Sequence, residues 1–167
     1  PYKRVDLAVK ACRALSRRLK VVGTGPEEAR LKALAGPEVE FLGWQPEDAL
    51  PGIYARAKAM IFPGEEDFGI TPVESMAAGR PVLALGRGGA LETVIGCGDA
   101  KGRAPTGRFF HDQEPDALIA AMEELEGELD SFDPQALAQH AAGFDTSVFL
   151  ERMARFLSRV FDKNTTR

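Results

Sequence analysis

The stretch "AMIFPGEEDFGITPVESMAAGRPVLAL" (59–85) decides the fold. It opens on a short apolar run, "AMIFP" (59–63), crosses a polar loop, and enters a helical segment predicted over Thr71–Ala78 and closed by Gly79. It then returns to a second apolar run, "PVLAL" (81–85). Short apolar runs bounded by Gly or Pro mark buried strands. The same alternation continues in both directions. Upstream stand helical spacing at Val5, Ala8, Val9, Cys12 and Leu15, a strand at 19–23, a helix in "PEEARLKALAG", and a strand at 39–43. A helical stretch at 47–57 follows, divided by Pro51-Gly52 into two short pieces. Downstream come a glycine loop, a helical turn, an edge strand "GRFF" (107–110), and helices at Pro115–Glu126, Pro134–Ala142 and Ser147–Phe161. Residues 96–107 read as a mobile loop, and the tail "DKNTTR" as a fraying end. Alternating strands and helices with largely apolar strands predict an α/β fold: a parallel sheet covered on both faces.

The totals agree. The chain's 167 residues are enough for one domain with a proper core. A formal charge of −4 disfavours a nucleic-acid partner, since such domains carry a basic face. Cys12 and Cys97 stand far apart without metal-like spacing, as thiols in a reducing compartment do. No apolar run approaches the ~18 residues that span a bilayer. The first residues, "PYKRVDLAVKACRAL", enter a helix almost at once with no strand before it, which predicts a domain excised from a longer protein.

In a parallel α/β sheet ligands bind beyond the carboxyl ends of the strands. That edge holds the loops 23–26, 43–46, 63–71 and 86–90. The loop 63–71 carries Glu65, Glu66 and Asp67, then Phe68-Gly69, and leads into Thr71-Pro72-Val73-Glu74. Two readings stand side by side. One is a capping box, with Thr71 as N-cap and Glu74 folded back onto the Thr71 amide. The other is a phosphate seat made of the free amides around Phe68, Gly69, Ile70 and Thr71, aided by the helix dipole. In that reading the carboxylate of Glu74 accepts hydrogen bonds from ribose hydroxyls. The run Glu65–Asp67 is either a solvated acidic turn or a partial ligand wall; metal binding is disfavoured, with no His or further Asp at ligand spacing.

Gly88 and Gly89, in "GRGG" (86–89), either cradle a ligand or form an ordinary tight turn. Gly23 lies in "GTGP" (23–26), which lacks a full dinucleotide turn because Glu28 occupies the last glycine position. Trp44 after Gly43 either stacks on a base at a pocket rim or covers the core. His111 and His140 read as structural or solvated. Ser75 lies in "VESMA", outside any nucleophile elbow. Arg152, Arg155 and Arg159 read as the outer face of the last helix.

The segment "FPGEEDFGITPVESMAAGRPVLALGRGGALETV" (62–94) resembles the signature of the retaining, nucleotide-sugar-dependent glycosyltransferases of family 4, of GT-B fold. In that family two glutamates are separated by seven residues, as Glu66 and Glu74 are here. "EEDFGI" followed by "GRGGALETV" is most similar to the mannosyltransferase-type members that build O-antigen and exopolysaccharide. "PYKRVDLAVKA" and "VVGTGPE…VEFLGW" also fall where the family has them, and the resemblance is weakest after about residue 112.

The resemblance implies a Rossmann-like three-layer α/β/α sandwich with a parallel sheet. Residues 1–167 would form the C-terminal, nucleotide-sugar-binding half, without the N-terminal acceptor domain. It implies that Glu74 holds the donor ribose, Glu66 contacts the transferred sugar, and the amides of Phe68, Gly69 and Ile70 meet sugar and diphosphate. Lys3 would be half of a diphosphate clamp whose arginine lies upstream of Pro1, and Gly43-Trp44 would flank the base. It further implies a GDP-mannose donor, a glycan or lipid-linked acceptor and no cofactor or metal. The enzyme would be cytoplasmic, with the full-length protein able to sit peripherally at the inner membrane. The isolated piece would bind nucleotide weakly without turnover. The final helix would either pack on its own domain or expose Val148, Phe149, Met153, Phe156, Leu157 and Val160. The alternatives are a non-catalytic nucleotide-binding or interaction module, and a GT-B sugar-nucleotide epimerase.

Overall fold

In a computed structural model the structure describes residues 2–98 and 102–165, with side chains through Phe161. Among the described residues there are five strands and eight α-helices, alternating as far as α6. In chain order they are α1 (Val5–Ala14), β1 (Leu19–Val22), α2 (Glu28–Leu34), β2 (Val39–Gly43), α3 (Leu50–Ala55) and β3 (Met60–Phe62). Then come α4 (Ile70–Ala77), β4 (Val82–Leu85), α5 (Ala90–Thr93), β5 (Gly107–Phe110), α6 (Pro115–Glu128), α7 (Pro134–Ala142) and α8 (Thr146–Thr165). A turn of 3₁₀ helix at Glu47–Ala49 precedes α3. The stretch 47–57 is therefore two pieces, but Pro51 opens the second rather than breaking the first, because the first helical turn does not need its missing N–H.

All strand pairs are parallel. β1 pairs with β2, and β3, β4 and β5 pair in that order, with β5 at the edge. β4 is buried at all four residues. α6 packs on β4 and β5 beside α1, while α4 packs on β3 and β4 beside α7. The result is the expected three-layer α/β/α arrangement, and its core joins Leu7, Met76, Leu83, Leu85, Leu118 and Leu137, each fully buried.

Of the expected mobile loop 96–107, residues 99–101 lie outside the described residues. The flanks that are described are held: Gly96 bridges Gly107 in parallel fashion, and the Thr106 hydroxyl accepts from the Ile95 amide at 2.8 Å. The end of the chain is helical through Thr165, so α8 continues beyond the predicted Phe161. Several of its apolar residues are exposed, with Phe149 and Phe156 more than half accessible. Among the described residues no helix is long and apolar enough to cross a membrane.

The contrast between α7 and α8 is testable. Leu137→Ala removes a fully buried side chain and should cost about 2–5 kcal/mol. Phe149→Ala, on the open face of α8, should stay within about 0.5 kcal/mol. Urea unfolding of the two variants checks both values.

Candidate functional site

The loop after β3 is shaped by backbone before any side chain acts. Gly69 adopts φ +77° and is buried; a Cβ there would lie 3.1 Å from the Phe62 ring. This left-handed residue turns the chain into α4 and serves as its N-cap without any side-chain cap. The capping-box reading is thereby corrected. The helix starts one residue earlier than predicted, Thr71 is its second residue, and Glu74 lies too far along to reach back. The Ile70 and Thr71 amides occupy the first turn, where no intrahelical acceptor exists. Pro72, next in line, has no N–H.

A second loop supports the first from behind. The Gly89 amide donates to the Glu66 carbonyl at 2.8 Å. A Cβ on Gly89 would lie 2.3 Å from Asp67 O and 2.5 Å from Phe68 Cα, and one on Gly88 would lie 2.5 Å from Glu66 O. These glycines are required by the close approach of two backbones. Phe68 is braced from another side, edge-on to Phe144 at 5.9 Å between ring centroids, and Phe144 in turn meets the His140 ring at 5.3 Å. His140 Nε2 donates to the Thr93 carbonyl at 2.8 Å, which makes this histidine structural. Ser75 is fully buried, with its hydroxyl 3.2 Å from the Arg80 carbonyl it donates to.

These supports leave an open cleft of about 560 Å³ lined by Tyr2, Lys3, Glu65, Glu66, Asp67, Phe68, Gly69, Ile70 and Thr71. Of the sequence-predicted residues, the structure brings Lys3, Glu66, Phe68, Gly69, Ile70 and Thr71 together there. Lys3 Nζ lies 2.8 Å from the buried Glu66 Oε1. That hydrogen bond, more than the field of the carboxylate, raises the Lys3 pKa against a smaller opposing effect of burial. Glu74 stands outside the lining, one helical turn beyond Ile70. Its Oε2 accepts from the Tyr54 hydroxyl at 2.9 Å. Burial first, and donation to Glu74 second, push the Tyr54 phenol well above its ordinary range.

Tyr54 was not foreseen from the sequence. It lies 20 residues from Glu74 and its only local signal is an aromatic on a short helix. Gly23, Gly43 and Trp44 do not line the cleft. Gly23 and Gly43 both take positive φ and join the ends of β1 and β2, the Gly23 amide donating to the Gly43 carbonyl at 2.7 Å. Trp44 is 73% exposed, so it does not cover the core. Gly88 and Gly89 lie behind the acidic loop.

The arrangement offers free amides and a cation to a negatively charged group. It also offers carboxylates, which are pure acceptors, to hydroxyls beside that group.

Comparison with known proteins gives this geometry a context. Residues 1–127 match the family described as "Glycosyl transferases group 1". The chain is 31% identical over 160 residues to D-inositol 3-phosphate glycosyltransferase of Mycolicibacterium gilvum, covering 86% of this chain and 34% of that protein. It is 32% identical over 143 residues to a GDP-mannose-dependent alpha-(1-6)-phosphatidylinositol monomannoside mannosyltransferase of Mycolicibacterium smegmatis, covering 75% of this chain and 36% of that one. Among solved structures, Anabaena HepE in complex with UDP superposes with a TM-score of 0.76 at 23% identity, over 95% of this chain and 46% of that one. The chain thus spans about a third of the length of these two relatives.

Two outcomes test the site's construction. Gly89→Ala should force the two loops apart and cost about 1–3 kcal/mol, read by thermal unfolding, although its φ suits alanine. The Lys3–Glu66 pair, whose lysine is 55% exposed, should contribute under about 1 kcal/mol. Because the Lys3 pKa is raised on folding, that contribution is complete at neutral pH and is lost as pH climbs past the ordinary lysine value of about 10.4. Lys3→Met should therefore narrow its gap from the parent chain above that pH.

Proposed function

The chain belongs to the group 1 glycosyl transferases, and from that premise we propose that its cleft is the donor site of a retaining, nucleotide-sugar-dependent transferase of family 4. In this reading residues 1–167 form the nucleotide-sugar-binding half of a longer enzyme whose acceptor-binding half lies upstream. The observation that carries it is the meeting of a helix N-terminus, a lysine and a carboxylate in one open cleft.

The diphosphate sits against the amides of Gly69, Ile70 and Thr71, where the α4 dipole favours negative charge. Lys3 turns its ammonium to the diphosphate. As the bond to the sugar breaks, charge grows on the leaving group, and these fixed donors stabilise it without reorganising. Glu66, released in part by Lys3, accepts from hydroxyls of the transferred sugar. Glu74, one turn along α4, accepts from the ribose, with Tyr54 holding its other oxygen. Trp44 and Gly43, with Gly23, flank the base, and Gly88 and Gly89 keep the acidic loop in place.

The mannosyltransferase character of one relative, printed as GDP-mannose-dependent, supports GDP-mannose as the donor. The UDP bound by the solved neighbour supports a nucleoside diphosphate of some kind and leaves uridine as the rival base. A lipid-linked acceptor and a peripheral place at the cytoplasmic face of the membrane belong to the same reading. Half of such an enzyme does not turn over alone.

Thermal shift of the chain with GDP, UDP and ADP tests it. GDP at a hundred times its Kd should stabilise by about 2.7 kcal/mol. Glu74→Ala should weaken that binding about tenfold, the loss of one charged hydrogen-bonding group. In the full-length enzyme Glu66→Ala should leave nucleotide affinity nearly intact and lower transfer. No shift with any of the three nucleotides would remove the donor-site reading.

A further inference from the structure

α4 fixes the main chain of Glu74 without help from its side chain. Ser75 and Met76, the next two residues, are fully buried, and the Ser75 hydroxyl donates to the Arg80 carbonyl beyond the helix end. Glu74 stands on the same helix face as Ile70 and Thr71, four and three residues earlier, which line the cleft. Cα–Cβ bonds tilt toward a helix N-terminus, so its side chain leaves the helix leaning back toward those residues. That is a direction and not yet a position. A glutamate has three rotatable side-chain bonds, and a partly exposed one samples several rotamers unless something holds it.

Tyr54 removes that freedom. Its hydroxyl donates to Glu74 Oε2 at 2.9 Å, across the contact between α3 and α4. Burial first, and the bond to Glu74 second, keep the phenol protonated well beyond its ordinary range, so it stays a donor at physiological pH. Tyrosine has only two side-chain torsions, which makes it a stiff support. An ionised carboxylate has about four acceptor positions, and the phenol takes one of them.

The bond does more than fasten two helices together. α3 already has a fastening: Arg80 Nη2, just past α4, donates at 2.7 Å to the carbonyl of Ala55, the residue after Tyr54. That bond ties α3 to the far end of α4 and leaves Glu74 untouched. Tyr54 instead reaches the one ionisable side chain that α4 carries.

We propose that Tyr54 is a positioning residue for sugar recognition: its hydroxyl sets the orientation of Glu74, so that the remaining acceptor positions of the carboxylate stand ready for the hydroxyls of a bound ribonucleoside diphosphate. The identity of that ligand rests on the donor-site reading above, and the fixing of Glu74 by Tyr54 is what is added to it. A carboxylate already held in place loses little side-chain freedom on binding, and preorganised groups gain affinity in this way. The gain is realised only with a ligand that brings hydroxyls. The pair therefore sets a preference for ribose over a deoxy sugar, whose missing hydroxyls leave the carboxylate without new partners. Tyr54 acts through Glu74 and needs no contact with the nucleotide.

Isothermal titration calorimetry tests it, on the 167-residue chain with GDP, UDP and ADP, each beside its 2′,3′-dideoxy counterpart. For a nucleotide that binds, the parent chain should prefer the ribose form by about tenfold or more. Tyr54→Phe, which deletes the hydroxyl and keeps the ring, should weaken the ribose form about three- to tenfold and leave the dideoxy form within about twofold. In a Glu74→Ala background the same change should alter neither form. A phenol with only a structural role would lower both forms alike, and equal losses would overturn the proposal. So would an unchanged preference in Tyr54→Phe, or a loss that persists without Glu74. A parent chain that binds ribose and dideoxy forms equally would remove Glu74 from the sugar, and the role of Tyr54 with it, while leaving the donor-site reading in place. Binding of none of the nucleotides would take away that reading and the proposal together.

Discussion

Gly89 and Glu66 meet through backbone alone, amide to carbonyl at 2.8 Å, with no room for a side chain between the loops that carry them. The contact joins the carboxyl end of β4 to that of β3 and holds the acidic loop away from the core. With that loop in place, Gly69 can turn the chain into α4 against the Phe62 ring, and the first amides of the helix open into the cleft. Two neighbouring parallel strands bring the loops together, and the buried β4 between two helical layers keeps those strands in register. The site thus depends on a hydrogen bond that no side chain makes.

Charge within the cleft follows from this frame. A helix N-terminus draws anions, and a run of three acids repels them. The structure reconciles the two by pairing Glu66 with Lys3 at 2.8 Å and giving one oxygen of Glu74 to Tyr54 at 2.9 Å. Each carboxylate keeps acceptor capacity while its charge is partly offset. A ligand that carries phosphates beside hydroxyls matches such a surface better than a bare anion does, since the amides serve one group and the carboxylates the other. The α8 face, by contrast, carries the exposed phenylalanines Phe149 and Phe156.

Much of the architecture is legible in local sequence. The bounds of β2, β5 and α7 match the predicted ones residue for residue, because an apolar run between glycines or a proline at a helix start is a signal confined to a few neighbours. The start of α4 was misread for the same reason. Thr71-Pro72-Val73-Glu74 satisfies the local pattern of a capping box, but Gly69 is held in its left-handed turn by Phe62 and Pro72, and that contact wins. The role of Gly88 and Gly89 likewise depends on Glu66 and Asp67, 22 or 23 residues earlier in the chain.

The sequence by itself determined the α/β alternation, the apolar strands, the family signature and the loop of acids at one sheet edge. These follow from propensities and spacings within short windows, where each residue interacts with chain neighbours whatever the rest of the molecule does. Only the tertiary structure decided that Glu74 rests on Tyr54, that Glu66 is held by Lys3, and that the Gly89 amide meets the Glu66 carbonyl. Those facts join residues 20 to 63 positions apart, and distance along the chain carries no energy until packing makes it contact.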